Sequence, residues 1–92
     1  NYSAAPERFK IVAQTFGIDT RGMTHAQIRD GLVAHLVQLK QAIGFNETLG
    51  LHGVNLSDIP FLSRHAMQDP CILTNPRSST QRDVEVVYAE AL

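Results

Sequence analysis

A single cysteine, Cys71, excludes an internal disulfide framework and leaves no cysteine cluster for a structural zinc site. A reducing, cytoplasmic setting is the easier expectation. No apolar run approaches the roughly 20 residues that span a bilayer, and no charged-then-apolar signal segment opens the chain, so no membrane partner is expected. Charge of one sign is also missing: 8 Lys plus Arg stand against 9 Asp plus Glu, and neither forms a block. That balance argues against nucleic acid as a partner, because such binding draws on clustered cations that neutralise phosphates. The sequence further lacks a Gly-rich phosphate loop, a Gly-x-Ser-x-Gly turn, and any Cys/His or Ser/His pair with a fixed third partner. No catalytic residue is expected within these 92 residues. A chain of this length forms one domain or a piece of one, with a thin core. Its start at Asn1 rather than Met, and its abrupt end at Leu92, suggest a piece.

What is present is helical patterning, and it predicts four helices and no strand. Phe9, Val12, Ala13 and Phe16 follow one helical face, with Pro6 in the first turn, Ser3 as the expected N-cap and Gly17 as the closing residue. The second helix is the best specified. Thr24 and Gln27 have the spacing of a capping box, and Met23 is placed to staple onto Ile28. Ile28, Leu32, Leu36, Leu39 and Ile43 then make an apolar stripe, widened by Val33 and Val37, until Gly44 stops it. Gly31, inside that helix, costs about 1 kcal/mol relative to Ala and marks either close helix packing or nothing. Residues 45–55 form a loop anchored by Leu49, Leu51 and Val54. A third helix starts near Ser57 or Asp58, carries Pro60 in its first turn, stapling Leu56 onto Phe61, and runs to about Gln68 with Ile59, Leu62, Ala66 and Met67 as its apolar positions. Thr80 with Asp83 at N3 opens the fourth helix, where Val84, Val87, Tyr88 and Ala91 share a face.

Between the last two helices lies Asp69-Pro70-Cys71-Ile72-Leu73-Thr74-Asn75-Pro76-Arg77, whose two prolines preclude a continuous helix. Cys71 reads first as a small buried hydrophobe and second as a site-lining residue, and nothing beside it makes a reactive thiolate. Asn75 and Arg77 could hold an anion. An Asx-type turn at Asn75 and a carboxylate or helix-end partner for Arg77 are preferred. The four histidines do not suggest a metal site. His25 and His35, on one helix, lie roughly 80° apart in azimuth and about 15 Å apart along the axis. His52 and His65 belong to other elements.

The stretch from Ile59-Pro60 through the loop to Thr80-Gln81-Arg82-Asp83, with the terminal Tyr88-Ala89-Glu90-Ala91-Leu92, resembles the C-terminal end of the iron-containing (group III) alcohol dehydrogenases. In that family a helix opening Ile-Pro leads through an Asp-x-Cys-x-x-x-Asn-Pro-Arg loop into a last helix beginning Thr-x-x-Asp. Glu7-Arg8-Phe9 to Gly17, the Met23-Thr24 start and the Ile43-Gly44 end extend the likeness to essentially all of residues 1–92. The resemblance implies a two-domain enzyme, with these residues forming the C-terminal part of its helical domain and the nucleotide-binding domain lying upstream.

It implies NAD or NADP and a divalent metal, usually iron, held by one aspartate and three histidines, all upstream. His25, His35, His52 and His65 do not match ligand positions. It implies small alcohol and aldehyde substrates, the remaining chain as partner, a homo-oligomer, and no activity for the segment alone. Cys71 would be a substrate-pocket wall, with Asn75, Pro76 and Arg77 shaping the loop that presents it. The rival expectation is a free-standing helical interaction module using the second helix's stripe. A DNA-binding regulatory domain comes third, disfavoured by the charge balance.

Overall fold

The structure, a computed structural model, describes residues 1–92 and is all-α: α1 (Pro6–Thr15), α2 (His25–Ala42), α3 (Ile59–Ala66) and α4 (Gln81–Glu90), with no strand. Four short 3-10 helices fill the connections, at Tyr2–Ala4, Gly50–His52, Leu56–Asp58 and Pro70–Thr74. The chain divides into two units, Asn1–Asn46 around α1 and α2, and Glu47–Leu92 around α3 and α4. No helix is long and apolar enough to cross a membrane.

Local chemistry sets the helix ends of the first unit. The expected cap at Ser3 is not made: Pro6 takes the N1 position, Ala5 becomes the N-cap, and Ser3 lies inside a 3-10 turn closed by Ala5 N–H donating to Tyr2 O. At the other end Gly17, with φ +84°, lets its own N–H reach Gln14 O while the Ile18 N–H reaches Ala13 O. This paired arrangement satisfies two carbonyls that a helix end leaves orphaned. Gly44 repeats it at the end of α2, its N–H donating to Gln41 O and that of Phe45 to Lys40 O. Both stops require φ above zero, which a residue with a Cβ rarely adopts. The start of α2 is a complete capping box: Gln27 N–H donates to Thr24 Oγ1 at 3.2 Å, and Thr24 N–H donates to Gln27 Oε1 at 2.8 Å.

The core of this unit is small. Ala13, Ile28 and Leu32 are buried, with Tyr2, Phe9, Ile18 and Met23 packed against them. Tyr2 stacks on Phe9 with ring centroids 5.4 Å apart, and buried Thr20 accepts a hydrogen bond from Gln14 Nε2. Val12 and Phe16 of the expected α1 face stay well exposed, as do Leu36, Leu39 and Ile43 of the α2 stripe. Gly31 marks no close packing: a Cβ there would touch only Met23 Cε, at 3.8 Å.

In the second unit α3 packs on α4. Asp58 reaches back to accept from the Asn55 N–H at 2.9 Å, and the 3-10 turn Leu56–Asp58 feeds directly into α3. Leu56 and Phe61 both stay exposed, so the expected staple buries little, and Phe61 lies instead against the His65 ring. Ile59 and Ser63 are the buried residues of α3, and the Ser63 hydroxyl has no hydrogen-bond partner. Its small size, rather than its polarity, suits the contact. The half-buried face of α4 is Gln81, Val84, Glu85 and Tyr88, whereas Val87 and Ala91 point to solvent. Leu51, expected as a loop anchor, is also exposed, while Leu49 and Val54 are half-buried. Leu49 N–H donates to Ala91 O at 2.9 Å, fastening the end of α4 to the turn before Gly50.

Candidate functional site

The connection between α3 and α4 is ordered by its own side chains. Asp69, with extended backbone, accepts the Cys71 N–H on Oδ1 at 2.7 Å and so opens a 3-10 helix over Pro70–Thr74, an element that composition did not foresee. Thr74 Oγ1 donates to Cys71 O at 3.0 Å, and Asn75 N–H to Ile72 O. Two prolines are compatible with this geometry because Pro70 occupies the first turn, where its missing N–H leaves nothing unpaired, and Pro76 follows the helix.

Cys71 is exposed, which corrects the expectation of a small buried hydrophobe. The Asp69 carboxylate raises its thiol pKa above the ordinary range, first through a hydrogen bond and then through its negative charge. The carboxyl of Asp69 is held below its ordinary range, chiefly by the Cys71 N–H. A thiol in this setting is a poor nucleophile, because the thiolate is the reactive form.

A second cluster follows directly. Asn75 Nδ2 donates to Arg77 O at 2.7 Å and lies 3.4 Å from Ser79 Oγ, bending the chain over Pro76. Arg77 Nη2 donates to Asp83 Oδ1 at 2.9 Å. The other oxygen of Asp83 accepts from Thr80 N–H at 2.8 Å and from Thr80 Oγ1 at 2.7 Å, while Asp83 N–H donates to Thr80 Oγ1. These contacts lower the Asp83 pKa, the Thr80 backbone hydrogen bond first, then its hydroxyl, with the Arg77 charge a lesser cause. Asn75, Arg77, Thr80 and Asp83 thus form one hydrogen-bonded chain at the start of α4. Thr24 and Gln27 belong to the other unit and take no part. Asp69 and Ser79 are the members of this loop that the sequence did not assign; an Asp two residues before an N–H needing an acceptor was the available signal for the first.

The histidines are dispersed. His25 Nε2 lies 3.3 Å from Glu7 Oε1, and His52 pairs with Glu47. His35 and His65 lie against Phe16 and Phe61, with ring centroids 5.0 and 4.4 Å apart. No three His, Cys, Asp or Glu side chains converge. The residues of this chain do not by themselves supply an iron ligand set.

The geometry defines an all-α segment with an ordered, cysteine-bearing loop. Its fold is that of part of a much longer protein: it matches the crystal structure of 1,3-propanediol oxidoreductase with a TM-score of 0.90 at 24% identity, over 99% of this chain and 24% of that one. The C-terminal model of the Fe-containing alcohol dehydrogenase family matches residues 1–92, and the chain belongs to that family. Among curated relatives it is 31% identical to lactaldehyde reductase of Escherichia coli (strain K12) over 92% of this chain and 22% of that protein. It is 33% identical to choline dehydrogenase of Bacillus subtilis (strain 168) over 96% of this chain and 22% of that one. NAD-dependent methanol dehydrogenase of Bacillus methanolicus is 28% identical over the whole chain and 24% of its own length. The chain therefore spans less than a quarter of the length of these relatives.

Proposed function

We propose that residues 1–92 are the C-terminal part of the helical domain of an NAD(P)-dependent alcohol dehydrogenase that interconverts small alcohols and aldehydes. The family match over the whole chain carries this reading, together with relatives about four times as long. The relatives named above are all enzymes, which lends no support to a free-standing interaction module. The nicotinamide nucleotide and the divalent metal that the family implies are held by the preceding chain in this reading.

The role of this segment is positional. The Asp69 cap and the Asn75-to-Asp83 hydrogen-bonded chain fix the loop from both sides, so that Cys71 faces outward at a set place. Cys71 forms part of the substrate-pocket wall, and its raised thiol pKa suits a neutral wall rather than a nucleophile or a ligand. Asn75, Pro76 and Arg77 shape the loop.

The test is a paired assay. The full-length protein from its natural source, supplied with Fe(II), NAD+ or NADP+ and short primary alcohols, is expected to turn over, and the 92-residue segment under the same conditions is not. Turnover by the segment, or none by the full-length protein with any of these alcohols, overturns the reading.

A further inference from the structure

Both peptide groups that flank the Cys71 Cα are held by side chains. The Cys71 N–H donates to Asp69 Oδ1 at 2.7 Å, and its carbonyl accepts from Thr74 Oγ1 at 3.0 Å. Pro70, which opens the 3-10 helix, has no N–H, so Cys71 carries the first one that needs an acceptor. Thr74, the last residue of the same helix, reaches back to the carbonyl. Each contact alone is common for its residue type. Here the two converge on one residue from opposite ends of the helix, and both are made within residues 69–74.

A 3-10 helix of this length needs such support. Its backbone hydrogen bonds are poorly aligned, and runs beyond about three or four residues are uncommon; this one has 5, Pro70–Thr74. Because a peptide group is planar, fixing the one before Cys71 and the one after it fixes φ and ψ between them. The direction of the Cys71 Cβ is then set, and χ1 is the one freedom left to the thiol.

We propose that Asp69 and Thr74 are positioning residues of the substrate pocket: by clamping the peptides on either side of Cys71 they set where the wall stands, and therefore which lengths of alcohol fit. This rests on the function proposed above, in which Cys71 forms part of that wall. A pocket wall held in place separates substrates that differ by one methylene by about tenfold or more. A wall free to shift gives up part of that separation. Asn75 and Arg77 shape the far end of the loop, toward α4, whereas Asp69 and Thr74 act at Cys71 itself.

Steady-state kinetics of the full-length enzyme on straight-chain primary alcohols, from ethanol to hexanol, tests the clamp. Thr74→Val removes the hydroxyl at nearly constant shape, and Asp69→Ala removes the acceptor. Each is expected to change the kcat/KM ratio between the longest and shortest alcohols by about threefold or more, chiefly through KM. Thr74→Ser keeps the hydroxyl and Asp69→Asn keeps an oxygen acceptor, so both are expected to retain the natural ratio. In a Cys71→Gly background, which lacks the wall side chain, Thr74→Val is expected to change the ratio no further. Equal losses on all alcohols, a Thr74→Ser enzyme that behaves like Thr74→Val, or an undiminished effect in the Cys71→Gly background overturn the clamp. Where Asp69→Ala does not fold, the comparison of Thr74→Val with Thr74→Ser decides. No turnover of any alcohol by the unsubstituted enzyme refutes the proposed function and the clamp together, whereas an active enzyme whose discrimination ignores Asp69 and Thr74 refutes the clamp alone.

Discussion

Two glycines in this chain are expected to respond to the same substitution with opposite sign. Gly50 has ordinary backbone angles, so its conformation does not demand glycine. An alanine Cβ there, however, would lie 2.8 Å from the Leu92 carbonyl oxygen, with Thr48 Oγ1 at 3.7 Å. The obstructing atom is backbone, so the end of α4 must move. That movement pulls on the Leu49 N–H to Ala91 O hydrogen bond. Forcing an extra methyl into such a contact costs about 1–3 kcal/mol. Stiffening of the unfolded chain returns about 0.4–1 kcal/mol. Gly50→Ala should therefore destabilise the second unit by about 1–2 kcal/mol.

Gly31 is the control. Its added Cβ meets only Met23 Cε at 3.8 Å, an ordinary contact, and the position is mid-helix. Gly31→Ala should stabilise by about 0.5–1 kcal/mol. Amide hydrogen exchange on the 92-residue segment reads both effects by unit: faster exchange at Leu49 and along α4 for Gly50→Ala, slower exchange across α2 for Gly31→Ala. A neutral or protected Gly50→Ala would show that the end of α4 is not held against the Gly50 turn, and the reasoning would fail.

Three further outcomes follow from the loop. The folded pKa of Asp83 is depressed, so its contribution is fully present above the ordinary carboxylate range and is lost as pH falls through the folded value; protection against exchange in the first turn of α4, corrected for the intrinsic pH dependence of amide exchange, should fall below about pH 4, and pH-independent protection would count against the Thr80–Asp83 contacts. Because Asp69 raises the Cys71 pKa, iodoacetamide should alkylate Cys71 at pH 8 more slowly than a free cysteine, and Asp69→Asn should speed the reaction; an unchanged rate would refute that cause. In the full-length enzyme Cys71→Trp should narrow the proposed pocket and raise KM for larger alcohols by about tenfold or more relative to the smallest, and equal effects on all alcohols would remove Cys71 from the wall.

Helix boundaries were legible because their determinants are local. Thr24 with Gln27 and Thr80 with Asp83 announce their starts within four residues, and Gly17 and Gly44 announce their stops. Ser3 misled because Pro6, three residues on, claims the N1 position and makes Ala5 the cap. Burial was far less legible. Periodicity says which face is apolar, not what lies over it, so Ile28 and Ile43 read alike in sequence and differ in the fold. On α4 the half-buried face includes Gln81 and Glu85, joined by a hydrogen bond of 3.0 Å, in place of Val87 and Ala91. In the loop, the kind of partner Arg77 would take was legible. That the partner is Asp83, already holding Thr80, depended on how the chain bends at Asn75 and Pro76. The outward-facing Cys71 was not legible either, because composition treats a lone cysteine as core.

The most direct measurement on the account as a whole is the intact mass of the natural protein that contains these 92 residues, by top-down mass spectrometry. Since the chain covers 22–24% of its relatives, the account predicts a species about four times the 10.2 kDa of this sequence. A mass near 10.2 kDa would contradict it, and would identify a helical protein that works without the rest of a dehydrogenase.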